Sequence, residues 1–515
     1  MFGVRYGTRC LVFGSTLAAG CQSVEPQYPI PNGQSTTALY PGIPAIGERP
    51  RLLRTEIRRS AKANSLSDSS RPSAAQFTDV TGQETIDLGV ALRLAGIDNP
   101  TIGLAREAVR ESLAGQLAAR SLLLPSVNIG GNFRQHSGVY LAAPGLVRSV
   151  DVQSLYLGAG AGAVGAGTPN TPGVRLFAHL GDAAYEPLAA RQRVTVRRSE
   201  AQAVQNAVLL DVATAYLELV GAEGRLDILR QSEAELAELS RLTTVYAKAG
   251  QGRQADAKRA EANLELLHRD IHKSEEEVAV ASARLCGLLT LDPSVRLRTP
   301  GGNIPRLRLV PETYDDQELV TQAIQGRPEV LARSAAIGEA QTRVKQERVR
   351  PWLPTLSIGY SYAGFGGGSN QVASDFGPLK SRNDFDVVAV WTVENLGLGT
   401  RARVRQASAT LGASVAEFDR ITNQIRREVA ESLAMTRAAA RQIETATTSL
   451  SAAEEGFRLE SERIRQGEGR RPIETLDSFR QLLESRQELL RAVIAFNVAQ
   501  FRLFVAVGQT PNNAE

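Results

Sequence analysis

Only three of the 515 residues are cysteine, at positions 10, 21 and 286, so no disulfide framework staples this chain. Four histidines and two methionines leave little material for a metal relay. Aromatic residues make up only 5% while Ala, Leu, Arg, Glu and Gln abound, the composition of long helices packed through small side chains. The formal charge of +4 is spread over interspersed positive and negative residues, too weak a bias to indicate a nucleic-acid surface. Beyond the N-terminal segment there is no unbroken run of 18 apolar residues, so membrane contact is expected through β-strands rather than a spanning helix. P-loop, nucleophile-elbow and paired-cysteine motifs are all missing, so an enzyme is not expected.

Two local patterns are deceptive. Gly160-Ala161-Gly162-Ala163-Val164-Gly165 spells a dinucleotide-binding fingerprint, but Thr168-Pro169-Asn170-Thr171-Pro172 follows where a phosphate-holding helix N-terminus is required. It reads as loop. His268 and His272 share a helix face with Glu275, but Arg269 stands where a zinc protease motif needs glutamate. These residues read as a solvated face, and neither a metal nor a cofactor is expected.

What the chain does carry is a repeat. Asn99-Pro100 opens a helical stretch ending at Leu124-Pro125-Ser126, before the alternating Val127 to Phe133; Arg327-Pro328 opens another, ending at Leu353-Pro354-Thr355, before Leu356 to Tyr360. Arg191-Gln192-Arg193-Val194 and Arg401-Ala402-Arg403-Val404 then begin two very long helical segments. The offset between copies is 229 at the prolines and 210 at these arginines, so the first copy carries about 19 extra residues, assigned to a Gly- and Ala-rich loop from Gly158 to Gly173.

The expected organisation is a signal segment over 1–20, a Pro- and Ser-rich linker over 21–80, a first repeat over 81–300 and a second over 301–515. Strands are expected at about 126–140 and 174–187, and again at 355–363 and 384–394. Helical hairpins are expected at 191–291, turning at Gly250-Gln251-Gly252, and at 401–508, turning at Gly467-Glu468-Gly469. Arg5 and Arg9 precede an apolar stretch that ends at Leu17-Ala18-Ala19-Gly20-Cys21, the layout of a secretory signal. Cys286, among Leu285, Leu288 and Leu289, reads as a small buried hydrophobe. Isolated β-hairpins cannot satisfy their edges in lipid, so strands from several chains would have to close a shared barrel.

In this order, and in both copies, Asn99-Pro100, Leu124-Pro125-Ser126, Arg327-Pro328-Glu329, Leu353-Pro354 and Asn395-Leu396-Gly397-Leu398-Gly399 resemble TolC-like outer-membrane channel proteins of efflux and type I secretion systems. The resemblance covers roughly residues 80 to 510. It implies a mostly α fold with a membrane β-barrel, in which a homotrimer shares a twelve-stranded barrel and a long α-helical barrel. It also implies a passive exit duct reaching from the outer membrane into the periplasm, partnered by a periplasmic adaptor and an inner-membrane pump. Cys21 after Ala-Gly is similar to the lipidated cysteine of lipoprotein members, with ordinary cleavage nearby as the alternative. Adaptor docking would fall at the turns containing Gly250, Gly252, Gly467 and Gly469. Entrance gating would fall to Glu474 and Asp477, with Asp256 tied ionically to Arg470 or Arg471. A ring of carboxylates on one axis repels anions and concentrates cations. The competing reading, a periplasmic coiled-coil scaffold without a pore, accounts for the helices but not for two alternating strand pairs.

Overall fold

The computed structural model describes residues 83–162, 168–302, 304–311, 314–372, 376–466 and 472–511. The signal segment, the linker, Cys21, Gly467, Gly469, Arg470 and Arg471 therefore lie outside the described residues.

Each repeat opens with a helix whose start is written into the sequence. In the first, β1 (Gln83–Thr85) leads through α1 (Leu88–Asp98) to α2 (Pro100–Arg120). Asn99 caps α2: its side-chain oxygen accepts from the Thr101 N–H at 2.9 Å, and Pro100 supplies a preset φ where no N–H is needed. The first repeat closes with β7 (Arg296–Arg298), which pairs in parallel with β1, and in the second α5 (Asp316–Gly326) precedes α6 (Pro328–Val349). Arg327, at the position of Asn99, makes no cap; its guanidinium instead holds Glu329 at 2.8 Å and also Glu428.

The strands are β2 (Ser126–Val127), β3 (Ile129–Leu141), β4 (Val147–Ala161), β5 (Thr171–Pro172), β6 (Val174–His179), β8 (Thr355–Ser369) and β9 (Lys380–Val390). They form one antiparallel sheet in the order β3-β4-β8-β9 above and β2-β6-β8-β9 below. The expected second strand at 174–187 is thus mostly helix: only Val174–His179 is strand, and the main partner of β3 is β4, which the sequence reading had passed over. Helix α3 (Leu180–Lys248) starts 11 residues before Arg191, because the His179 ring nitrogen accepts from the Gly181 N–H at 3.1 Å and Asp182 occupies the first turn. Pro187 sits inside it.

Two helical hairpins complete the unit: α3 with α4 (Gln254–Leu289), and α7 (Leu398–Arg465) with α8 (Pro472–Ala506). The 69 residues of α3 give a rod of about 100 Å. Both α3 and α8 contain stretches apolar enough to cross a membrane by composition, and each contributes buried residues to the core here. Leu209, Leu219, Leu285, Cys286 and Phe501 are fully buried in one cluster, with Cys286 packed as expected. A second cluster, around Leu229, Leu236, Ala260, Leu476 and Phe479, joins the far ends of both hairpins.

Candidate channel wall and entrance

Alternation along the strands divides the sheet into two faces of opposite chemistry. The register places Ile129, Phe133, Leu155, Leu157, Ile358, Tyr360, Tyr362, Phe385 and Val387 on one face. Ile129 is 83% exposed and Phe385 69%, so this face is a broad apolar surface open to its surroundings. The opposite face carries Asn132, Arg134, His136, Ser154, Ser361, Arg382, Asp384 and Asp386. There Arg382 is paired with Asp384 at 2.8 Å and lies over the Phe365 ring. A concavity of 760 Å³ on the polar face is lined by Arg134, His136, Tyr140, Ser154 and Phe365. Among the described residues the outer edges of β3 and β9 pair with no strand. Above Phe133 and Leu155 the apolar face turns polar, with Gln135, Gln153 and Asp151, so the apolar band has an upper limit.

The base of the sheet is clamped to the helices by ion pairs from α3 to α6 and to Arg350 just beyond its end. Arg350 meets Asp182 at 2.5 Å, Arg193 meets Glu339 at 2.5 Å, and Arg343 holds Glu186. The Arg343 hydrogen bond holds the Glu186 carboxyl below its ordinary value, with partial burial opposing it.

At the far end the first turn is closed by Gly250, whose φ of +75° is open to glycine and strained for other residues. The Gln251 and Gly252 N–H groups both donate to the Tyr246 carbonyl, at 3.0 and 3.1 Å. The Tyr246 hydroxyl donates to the Ile464 carbonyl at 2.8 Å, tying this hairpin to the last turn of α7. Phe457 and Phe479 meet edge to face at 5.8 Å between α7 and α8, and Arg486 of α8 reaches Glu235 of α3 at 3.0 Å.

The sequence-predicted entrance residues separate here. Asp256 is buried in the first turn of α4 and lies 3.5 Å from Arg259 of its own helix. Glu474 and Asp477 are on the exposed side of α8, Asp477 lying 3.7 Å from Arg480. His268 and His272 join no metal cluster among the described residues; His268 lies 3.2 Å from Glu233 across the α3–α4 seam and His272 lies 3.3 Å from Glu275. Tyr246, Phe457, Phe479 and Arg486 were not singled out by sequence. Two phenylalanines in a chain so poor in aromatics were the available signal.

Residues 319–509 match the family model described as outer membrane efflux protein. No curated protein matches the chain. Among solved structures, the chain is similar to the outer-membrane channel OprN, with 17% identity, a TM-score of 0.66 and coverage of 82% of this chain and 89% of that one. It is also similar to the Campylobacter jejuni CmeC outer membrane channel, with 14% identity, a TM-score of 0.65 and coverage of 86% and 94%. The Neisseria gonorrhoeae MtrE outer membrane channel, with 17% identity, a TM-score of 0.61 and coverage of 82% and 89%, is a third. The resemblance to TolC-like channels therefore holds: the chain has the fold of the outer-membrane channels, and its second repeat carries the outer membrane efflux protein match.

Proposed function

We propose that the protein is the outer-membrane exit duct of a tripartite efflux or type I secretion system, a passive conduit reaching from the outer membrane into the periplasm. The observation that carries this is the two-faced sheet, open-edged among the described residues, continuous with helices about 100 Å long. In lipid the free edges of β3 and β9 must find strand partners, and copies of the same chain supply them. Three copies of four long strands would give a twelve-stranded barrel with the apolar face outward and the polar face lining water. The hairpins would extend the conduit as a helical tunnel. A periplasmic adaptor would dock at the hairpin ends, near Gly250 and Gly252 and the second turn, and an inner-membrane pump would supply the driving force.

Glu474 and Asp477, exposed near the start of α8, would then form an acidic ring at the tunnel entrance. The test is single-channel conductance of the detergent-purified protein in a planar bilayer, before and after Glu474→Ala with Asp477→Ala. Discrete cation-preferring steps that grow in the double variant support a gated duct. Silence in both proteins points instead to a pore-free scaffold.

A further inference from the structure

We propose that the free edges of the sheet recognise a second copy of this chain by charge: Arg134 on β3 of one copy meets Asp384 on β9 of the next, and this contact fixes the register in which the copies join. The proposal rests on reading the sheet as the wall of a barrel shared by three copies.

Both edges are long enough to pair along their length. β3 runs 13 residues and β9 runs 11, and neither contains a proline. On the polar face of these strands the side chains of Asn132, Arg134 and Asp386 have no ion pair or hydrogen bond within the described part of the chain. Asp384 is held by Arg382, which gives one N–H to each carboxylate oxygen, and each oxygen keeps a lone pair for a second donor.

The register inside the sheet limits how two copies can meet. Within one chain Ile129 pairs with Ala159, Ala159 with Tyr362, and Tyr362 with Asn383, so Ile129 and Asn383 lie on one row across four strands. In a closed barrel of tilted strands such a row climbs, and at the seam Asn383 faces a residue of the next β3 further along than Ile129. The offset is even, because an odd one would turn the apolar face of the next copy inward. With strands about 4.8 Å apart and about 3.3 Å per residue, offsets of two, four, six and eight residues give tilts of about 19°, 35°, 46° and 54°. Barrel strands tilt by about 35–45°, so four and six remain.

Charge separates these two. At an offset of four, Arg382 faces Arg134 and Lys380 faces His136, while on the apolar face Asn383 stands against Phe133. At six, Asp384 faces Arg134, Asp386 faces Asn132, Phe385 faces Phe133 and Asn383 faces Gln135. Like charges directly opposite each other destabilise a strand pair; opposite charges and paired aromatics stabilise it. Six leaves His136 opposite Arg382, whose guanidinium already has Asp384 at 2.8 Å and the Phe365 ring beneath it. It also aligns the upper limit of the apolar band, which falls between Phe133 and Gln135 on β3 and between Phe385 and Asn383 on β9. The register sets the bore of the duct: twelve strands tilted at about 46° enclose a circle about 27 Å across, against about 23 Å at 35°.

The test maps the seam by disulfide formation in the full-length protein, expressed in a bacterial outer membrane and oxidised with copper phenanthroline. Three double variants share Asn383→Cys. Gln135→Cys beside it reads the offset of six and Phe133→Cys the offset of four, while Tyr362→Cys, the partner of Asn383 within the chain, shows that the oxidant reaches this depth. Wild type reports the native cysteines. The Gln135→Cys pair should form covalent dimers and trimers about fivefold faster than the Phe133→Cys pair, because directly opposite Cβ atoms lie about 5 Å apart and diagonal ones about 7–8 Å. Adding Arg134→Asp, which sets two acids face to face, should slow that link about fivefold; Arg134→Asn should slow it less, and Arg134→Lys should leave it nearly intact. A faster Phe133→Cys link overturns the contact and keeps the barrel. A Gln135→Cys link that neither Arg134→Asp nor Arg134→Asn slows means that charge does not set the register, and overturns the proposal too. Oxidation of the Tyr362→Cys control with neither seam pair linked means that the edges do not meet, and sinks the shared barrel itself.

Discussion

The two repeats solve the same folding problem with different chemistry. Both interrupt two successive helices with one extended residue, Asn99 or Arg327, and both use proline at the first position of the helix that follows. The first satisfies the helix end with the Asn99 amide, which also donates to the Leu288 carbonyl at 2.9 Å. The second places Arg327 there, 11% exposed, between Glu329 and Glu428. Likewise β8 and β9 run as unbroken strands, whereas in the first repeat β8 is met by two separate strands, β4 ending at Ala161 and β6 starting at Val174. Duplication has kept the points where the backbone must turn or pair and released what lies between them.

The largest expected effect comes from removing Arg327. Arg327→Ala leaves two carboxylates half-buried beside a lost charge, and should cost about 3 kcal/mol, against about 1 kcal/mol for Asn99→Ala. Urea unfolding of the two variants in detergent gives the comparison. Equal losses would mean that the Arg327 pairs are screened as surface pairs are.

The split strand gives the next contrast. A Cβ at Gly173 would stand 2.5 Å from the Ala159 carbonyl carbon, whereas one at Gly364 in unbroken β8 would meet nothing nearer than 3.7 Å. Gly173→Ala should therefore cost about 2 kcal/mol and Gly364→Ala close to nothing. Thermal dissociation of the assembled protein reads both, and a stable Gly173→Ala assembly would show that the contact between Gly173 and Ala159 can widen.

Legibility followed the strength of periodicity. The long stripe through Val204, Val208, Val212 and Leu219 and the alternation of Phe385, Val387 and Ala389 announced α3 and β9 unaided. Strand β4 was missed because its apolar alternation is short: Leu155, Leu157 and Ala159 lie inside the band, while Arg148, Ser149, Asp151 and Gln153 extend beyond it into polar surroundings. The start of α3 was missed because Gly181 and Pro187 resemble breakers, and the histidine cap that overrides them is a contact, not a pattern. At the far ends of the hairpins, sequence located the turn at Gly250 but not the burial of Asp256, nor the Tyr246 contact that fastens one hairpin to the other and the Phe457–Phe479 contact inside the second.

A pH experiment sharpens the comparison at the sheet base. Glu186 belongs to α3, and its carboxyl is held below its ordinary value of 4.5 mainly by the Arg343 hydrogen bond. A depressed folded value means that the stabilisation is present above the unfolded value and is lost as pH falls through the folded one. Stability of the wild type should therefore drop below about pH 4.5, and Glu186→Gln should flatten that part of the profile while lowering the neutral plateau. α7 begins without an acid in its first turn, so the second repeat adds no matching acid at that place. An unchanged acid limb would assign the loss to other carboxylates.

The smallest effect has the opposite sign. A glycine inside a helix costs stability relative to alanine by roughly 0.5–1 kcal/mol unless its missing side chain makes room for a neighbour. In α7 of the second repeat, a Cβ at Gly412 would have nothing within 4 Å, so Gly412→Ala should stabilise by that amount. In α3 of the first repeat, a Cβ at Gly221 would meet Ile494 at 3.3 Å, and one at Gly224 would meet Leu490 at 3.1 Å. Those glycines let α8 approach closely, and the cost of pushing it away should cancel the propensity gain. Denaturant midpoints of Gly412→Ala, Gly221→Ala and Gly224→Ala decide the matter. A gain at all three positions would mean that the α3–α8 contact is loose enough to take a methyl group, while a loss at Gly412 would reveal a surface covered in the assembly.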